Sequence, residues 1–143
     1  MNLLLQLIRM FEGLRLRAYL CPAAVPTIGY GATGPDIKLG LVWTNEQAEA
    51  RLATDADGMV NSVKRLCPEI VGDEGKLAAI ADFAFNLGPT RLAGSTLRRR
   101  IKAGDYDGAA VELMKWVRGG GKVLPGLVLR RMAERNLFLG VQK

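Results

Sequence analysis

Histidine is absent from this sequence of 143 residues, and cysteine occurs only twice, at Cys21 and Cys67. Without histidine the chain cannot build a His-based catalytic triad, and two cysteines alone do not supply the usual zinc sites. No Gly-rich phosphate-binding motif stands in the strand-to-helix setting that nucleotide binding requires. We therefore expect chemistry that uses neither a cofactor nor a metal. A Cys21–Cys67 disulfide is not expected either, because the second cysteine lies at the far end of a predicted long helix.

A long hydrophobic run is also missing. The first eleven residues are apolar, but they are few, carry no basic segment in front and meet Glu12 too early for a signal peptide or a membrane span. Leu4, Leu5, Ile8 and Phe11 recur at helical spacing, which predicts an amphipathic helix from about residue 2 to 11. We expect the chain to be made and held in the cytoplasm, where thiols stay reduced.

Charge is the main compositional bias. Lysine and arginine number 20 against 14 acidic residues, a net charge of +6, and residues 67–143 carry 13 of the basic and 8 of the acidic groups. This excess favours an anionic partner such as nucleic acid, a membrane surface or an acidic polymer. A merely solvated basic surface is the alternative reading.

The remaining pattern predicts an α+β architecture in one domain, residues 1–143. Two proline-broken, glycine-rich stretches between residues 14 and 40 predict a small antiparallel sheet. Thr44 and Gln47 form a capping box that begins a long helix to about Leu66. Further helices are predicted over 73–86, 96–102, 106–117 and 125–139, and the last is expected to place Leu129, Met132, Leu137 and Phe138 in the core.

Three side chains in the segment 11–33 could form a hydrolytic site. Glu12 lies at the end of the first helix, where the helix dipole disfavours a negative charge, and a general acid has to keep its proton. Cys21 and Thr27 follow with the spacing E-x8-C-x5-T, inside a predicted hairpin. From the residues alone, Glu12 could equally be a surface carboxylate, Cys21 a buried thiol and Thr27 an ordinary strand residue.

This spacing, framed by FEGLRL and PTIGYG, resembles the phage lysozymes of glycoside hydrolase family 24, the muramidase endolysins. FAFNLG at 83–88, GSTLRRRI at 94–101, GDYDGAA at 104–110 and the segment 120–138 extend the resemblance over nearly the whole chain. It implies a lysozyme-like fold, with a small β-containing lobe and connecting helix at about 13–60, a helical lobe from about 1–12 and 67–143, and an active-site cleft between them. One departure is Ala32, where the family usually has histidine after GYG.

The resemblance also implies an activity. The chain would hydrolyse the β-1,4 bond between N-acetylmuramic acid and N-acetylglucosamine in peptidoglycan, with Glu12 as proton donor and Cys21 and Thr27 on the water side. Asn86, which could equally be a helix C-cap, resembles a substrate-binding residue. Of Arg130 and Arg131, otherwise surface charges, one would lie near the catalytic glutamate.

Two alternative functions remain open at this stage. A lytic transglycosylase would use the same glutamate but close the sugar on itself instead of admitting water. A non-catalytic cationic wall-binding module would depend on the basic segment 98–100 and the last helix. On the lysozyme reading we expect a monomer that binds peptidoglycan but not nucleic acid, and that reaches the wall after a holin opens the membrane.

Overall fold

The computed structural model describes residues 2–141 and divides the chain into two compact units, residues 4–57 and residues 58 onward. Among the described residues, no helix is long and apolar enough to cross a membrane. The predicted α+β class is confirmed, because the chain forms helices together with two small antiparallel sheets.

The first unit combines a helix, a hairpin and half of a long helix. Helix α1 spans Asn2–Glu12, strands β1 and β2 span Arg15–Leu20 and Pro26–Gly29, and helix α2 spans Asn45–Leu66, of which residues 45–57 belong to this unit. Leu4 and Ile8 are buried as predicted, together with Leu7, whereas Leu5 and Phe11 are only half-buried. The capping box of α2 is also confirmed, because Gln47 N–H donates to Thr44 Oγ1 at 3.1 Å and Thr44 N–H donates to Gln47 Oε1 at 2.8 Å.

A small apolar cluster lies under the hairpin. It contains Ala18, Ile28, Ala32 and Ile37, with Leu41 and Trp43 packed against them. Ala32, where the resemblance leads us to expect histidine, is 5% exposed and exchanges two backbone hydrogen bonds with Ile28, at 2.8 and 3.0 Å. The position therefore packs as a core methyl group in this chain.

The second unit is helical around one buried helix. After a short 3₁₀ turn at Pro68–Ile70 the order is α3 Glu74–Leu87, α4 Pro89–Ala93, α5 Thr96–Lys102, α6 Tyr106–Leu113, β3 Arg118–Gly119, β4 Lys122–Val123 and α7 Pro125–Leu139. Residues 77–84 of α3 are all buried, so this helix forms the centre of the unit. The helices α3, α5 and α6 begin at side chains that cap them: Asp73, Ser95 and Asp105 each accept a backbone N–H three residues later.

Two predictions about this unit are wrong. Helix α6 ends at Leu113 rather than 117, because the chain tightens into successive turns and the Val117 carbonyl instead accepts Leu124 N–H at 2.9 Å. Helix α7 does not place Leu129 and Met132 in the core: they are 60% and 36% exposed. The face that it buries carries Phe138, as expected, but also charged side chains that the apolar pattern did not indicate.

Candidate active site

Glu12 is the last residue of α1, and Gly13 ends the helix with a positive φ of 71°. The end of α1 is held by a polar network one turn earlier. Arg9 Nη2 donates to Glu49 Oε1 at 2.6 Å, and Tyr30 Oη donates to Glu49 Oε2 at 2.9 Å. Hydrogen bonds from Arg9 and then Tyr30 lower the pKa of Glu49, which keeps this carboxylate charged. The network therefore connects α1, the loop after β2 and α2.

The hairpin backbone passes close to the Glu12 carboxylate. A Cβ placed on Gly31 would lie 3.3 Å from Glu12 Oε1, and Gly31 has a φ of 87°. Both the left-handed backbone and the close approach require glycine at this position. The structure thus brings the predicted acid beside the loop that follows Thr27.

Thr27 lies in β2 opposite Tyr19 of β1, and its residue surface is 4% exposed. Its Oγ1 donates to the Val25 carbonyl at 2.8 Å. That carbonyl also accepts the Cys21 N–H at 3.1 Å, so the turn between β1 and β2 is tied from both sides. In the structure the hydroxyl hydrogen therefore points to the carbonyl of the turn.

Cys21 lies at the start of this turn, half-buried, with a free thiol. Hydrogen bonding from the backbone of Val25, then of Ala23, and also from the Thr27 hydroxyl lowers the pKa of the Cys21 thiol. Ala24, in the same turn, has a positive φ of 60°, which a residue other than glycine rarely adopts. The groups that lower this pKa most all belong to the hairpin itself.

The other thiol behaves in the opposite way. Cys67 is buried and free, and burial raises the pKa of its thiol to about 11. The expectation that the two cysteines form no disulfide is confirmed. Only one of the two thiols is therefore chemically available near neutral pH.

The Thr27 hydroxyl lies close enough to Cys21 to contribute to the lowered pKa of its thiol. A hydroxyl has one hydrogen and two lone pairs. When Thr27 donates to the Val25 carbonyl, its oxygen is left to accept from a thiol or a water molecule; when the thiolate forms, the hydroxyl can donate to sulfur instead. The pair can therefore hold a water molecule and rearrange its hydrogen bonds when the Cys21 thiol loses its proton.

The predicted substrate-binding residues all lie in the second unit. Arg131 is completely buried, and its Nη2 donates to Asn86 Oδ1 at 2.7 Å and to Glu134 Oε2 at 3.0 Å. Arg130 is 4% exposed and donates from Nε and Nη2 to the two Asp82 oxygens, both at 2.8 Å. The reading of these arginines as surface charges is wrong, whereas their role in binding substrate stays a prediction.

Sequence reasoning missed the acidic partners of these arginines. Asp82 and Glu134 are both fully buried, and burial together with the neighbouring Asp82 carboxylate raises the pKa of Glu134. The i, i+3 spacing of Arg131 and Glu134 was visible in the sequence, but a pair at this spacing is usually solvated. Asp82 was the visible signal, because a single carboxylate in an otherwise apolar run of α3 indicates a buried charge that needs a partner.

The comparisons with known proteins agree on one family. Residues 9–134 match the model described as phage lysozyme. The endolysin of Acyrthosiphon pisum secondary endosymbiont phage 1 is 42% identical over 94% of this chain and 93% of its own length. The endolysin of Bacillus phage B103 is also 42% identical over 94% of this chain, which spans 52% of that longer relative.

Among solved structures, the muramidase domain of SpmX from Asticaccaulis excentricus superimposes with a TM-score of 0.88 at 32% identity, over 97% of this chain and 96% of that one. This agreement confirms the lysozyme-like fold that the sequence predicted. Sequence and structure therefore converge, and the chain belongs to the phage lysozyme family.

Proposed function

We propose that this chain hydrolyses the β-1,4 bond between N-acetylmuramic acid and N-acetylglucosamine through Glu12, Cys21 and Thr27. As a member of its family the chain is a lysozyme-type glycoside hydrolase that cleaves peptidoglycan, an endolysin. The observation that carries the residue assignment is the compact segment 12–31. Its backbone passes beside the Glu12 carboxylate and also holds the Cys21 thiol and the Thr27 hydroxyl close together.

Glu12 is the proton donor in this scheme. Cleavage of a glycosidic bond requires an acid that protonates the leaving oxygen while positive charge develops on the sugar ring. Glu12 is the last residue of α1, and its carboxyl group lies beside the backbone of Gly31. Gly31 leaves space beside the carboxyl group, where a bulkier residue would crowd it.

Cys21 and Thr27 hold the attacking water. The Thr27 oxygen accepts one hydrogen of that water, and the thiolate favoured by the turn backbone accepts the other and removes the proton as the bond to the sugar forms. Water that attacks from the face opposite Glu12 inverts the configuration at the anomeric carbon. The scheme needs no covalent sugar–enzyme intermediate.

Replacement of Glu12 by Gln tests the assignment. The change keeps shape and removes the acid, so release of reducing ends from purified peptidoglycan should fall at least about a hundredfold, the lower end of what general acid catalysis contributes. Glu46→Gln, the same change on an exposed residue of α2, is the matched control and should be fully active. Near-normal release of reducing ends by the Glu12→Gln variant would refute the role of Glu12, whereas a wild type that releases none would favour the non-catalytic wall-binding reading.

Product mass separates hydrolysis from the transglycosylase alternative. Hydrolysis adds one water to each cleaved bond, whereas transglycosylation leaves an anhydro-sugar of 18 Da lower mass, the mass of one water molecule. The Cys21–Thr27 pair, which can hold water, favours hydrolysis. Anhydro-products from the wild type would overturn the water-side assignment of both residues.

Release and wall attraction complete the proposal. We expect the enzyme to reach peptidoglycan after a holin opens the membrane, so that expression alone leaves cells intact and chloroform triggers lysis. The net charge of +6 is expected to draw a monomeric enzyme to anionic wall polymers. Lysis of whole walls should then decline as salt shortens the Debye length from about 10 Å at 0.1 M to about 3 Å at 1 M.

A further inference from the structure

The Glu49 carboxylate, on α2, holds two other parts of the first unit together. Its Oε1 accepts from Arg9 Nη2 at 2.6 Å, and its Oε2 accepts from the Tyr30 hydroxyl at 2.9 Å. Arg9 Nε also donates to Oε1, at 3.2 Å, so the guanidinium approaches the carboxylate with two of its N–H groups. Arg9 lies on α1 and Tyr30 in the loop that follows β2. One side chain of α2 therefore fixes α1 and this loop relative to each other.

Both partners of this carboxylate are neighbours of residues that meet at the proposed acid. Arg9 precedes Glu12 by three residues, which places the two side chains on the same face of α1. Tyr30 directly precedes Gly31, and a Cβ placed on Gly31 would lie 3.3 Å from Glu12 Oε1. A change at Glu49 therefore alters the separation between the Glu12 carboxylate and the loop backbone.

The loop needs an external attachment because glycine gives it little rigidity. Gly31 has a φ of 87°, and glycine adopts many backbone conformations at similar energy. The two hydrogen bonds between Ile28 and Ala32 shape the turn itself but attach it only to β2. Beyond the turn, Arg51 of α2 donates to the Thr33 carbonyl at 2.6 Å. Side chains of α2 thus hold the loop on both sides of Gly31.

Stability alone gives the Glu49 network little purpose. The side chains of Arg9 and Glu49 are each 42% exposed. An ion pair this exposed contributes little to folding, because water screens the charges and two long side chains lose conformational freedom. Helix α1 is already held by the buried side chains of Leu4, Leu7 and Ile8. The position that the network gives to the loop explains it better.

We propose that Glu49 is a positioning residue, which sets the distance between the proton donor Glu12 and the loop backbone at Gly31. It does so by binding one group from each side, Arg9 and Tyr30, on a single carboxylate. The inference rests on the proposed function, in which Glu12 protonates the leaving oxygen. Glu49 itself takes no part in proton transfer. Misplacement of a catalytic group by about 1 Å can slow the chemical step by up to about a hundredfold.

Steady-state kinetics on soluble peptidoglycan fragments test the proposal. Glu49→Ala should lower kcat about tenfold with KM within about twofold, because the network is assigned to the acid and not to sugar binding. Tyr30→Phe removes only a hydroxyl and should lower kcat about fivefold, the effect of one hydrogen bond. Glu46→Ala, which removes the same charge from an exposed position of α2, is the matched control and should leave kcat unchanged. The urea midpoints of all three variants should stay near that of the wild type.

The pH dependence of kcat separates positioning from a charge effect. If Glu49 acted through its negative charge, its removal would let Glu12 ionise at lower pH and would move the alkaline fall of activity toward acid. Tyr30→Phe would then remain fully active. Positioning instead lowers kcat in both variants and leaves the pH of that fall unchanged. A fully active Tyr30→Phe protein would therefore overturn the proposal.

Combined variants test whether the network acts through one carboxylate and through Glu12. Tyr30→Phe with Glu49→Ala should show the kcat of Glu49→Ala alone, because the hydroxyl has lost its acceptor. Multiplied losses would mean that Tyr30 acts independently and would overturn the proposal. In the Glu12→Gln protein, Glu49→Ala should cause no further loss of the residual activity, and a further loss of similar size would place the action of Glu49 elsewhere. Near-normal release of reducing ends by Glu12→Gln alone would instead refute the proposed function, so the two failures are distinguishable.

Discussion

Replacement of Thr27 by Val separates a catalytic hydroxyl from a structural one. Valine has the shape of threonine and a similar preference for strands, so β2 should keep its pairing with β1. The side chain is almost completely buried, and the only atom that changes character is Oγ1. The prediction is a small loss of stability together with a large loss of activity.

The stability cost follows from the hydrogen bonds of the turn. Thr27 Oγ1 donates to the Val25 carbonyl, and its removal costs about 0.5–1.5 kcal/mol, the net worth of one hydrogen bond. The cost should stay near the lower limit, because the same carbonyl still accepts the Cys21 N–H at 3.1 Å. Loss of a group that positions the attacking water should reduce kcat about a hundredfold or more, which corresponds to about 2.7 kcal/mol in activation free energy.

The assay compares two quantities on the same protein preparations. Urea unfolding followed by circular dichroism gives the stability difference, and release of reducing ends from purified peptidoglycan gives kcat and KM. Thr27→Ser, which keeps the hydroxyl and removes the methyl group, is the matched control. It should retain most of the activity although it loses buried apolar area.

The loss of stability compared with the loss of kcat decides whether the Thr27 hydroxyl is catalytic or structural. A Thr27→Val protein that is folded and turns over within a few-fold of wild type would show that the hydroxyl only ties the turn. A Thr27→Ser protein as inactive as Thr27→Val would show that the methyl packing matters instead. Either result would refute the assignment of Thr27 to the water.

Three further changes test other parts of the argument. Cys21→Ser should lose most activity and Cys21→Asp should retain it. Because the turn backbone lowers the pKa of the Cys21 thiol, the activity of the wild type should rise with pH at values below the ordinary thiol pKa of about 8.5. In Cys21→Asp the same rise of activity should occur at a more acidic pH. Alkylating reagents should inactivate the wild type but not Cys21→Asp, and a fully active Ser variant would reduce Cys21 to packing. Ser95→Ala should cost about 1–2 kcal/mol in urea unfolding, because Oγ caps Arg98 N–H at 3.0 Å from a buried position; no change would mean that water replaces the cap. Gly29→Ala should destabilise more than Gly40→Ala by thermal unfolding, since both have positive φ but only at Gly29 would the Cβ meet the Trp43 ring, at 2.9 Å; equal losses would leave backbone strain as the sole cause.

The sequence determined those features whose physical cause lies within a few residues. The capping box of Thr44 and Gln47 and the cap at Ser95 are hydrogen bonds that span three positions, so they could be recognised without any tertiary context. The predicted site is local for the same reason: Cys21 and Thr27 are brought together by one turn between paired strands. Family motifs covering most of the chain supplied the activity.

Only the tertiary structure determined which residues that are distant in the sequence pair with one another. The face of α7 that is buried carries Arg130, Arg131 and Glu134, although its apolar residues predicted a different face. A buried charge is tolerated only when a partner from elsewhere in the chain meets it, and here Asp82 and Asn86 lie 48 and 45 residues away. No periodicity within α7 could have indicated those partners. The thiol of Cys21 illustrates the same limit, because its lowered pKa depends on the direction of N–H groups in a folded turn rather than on any charge that can be read from the sequence.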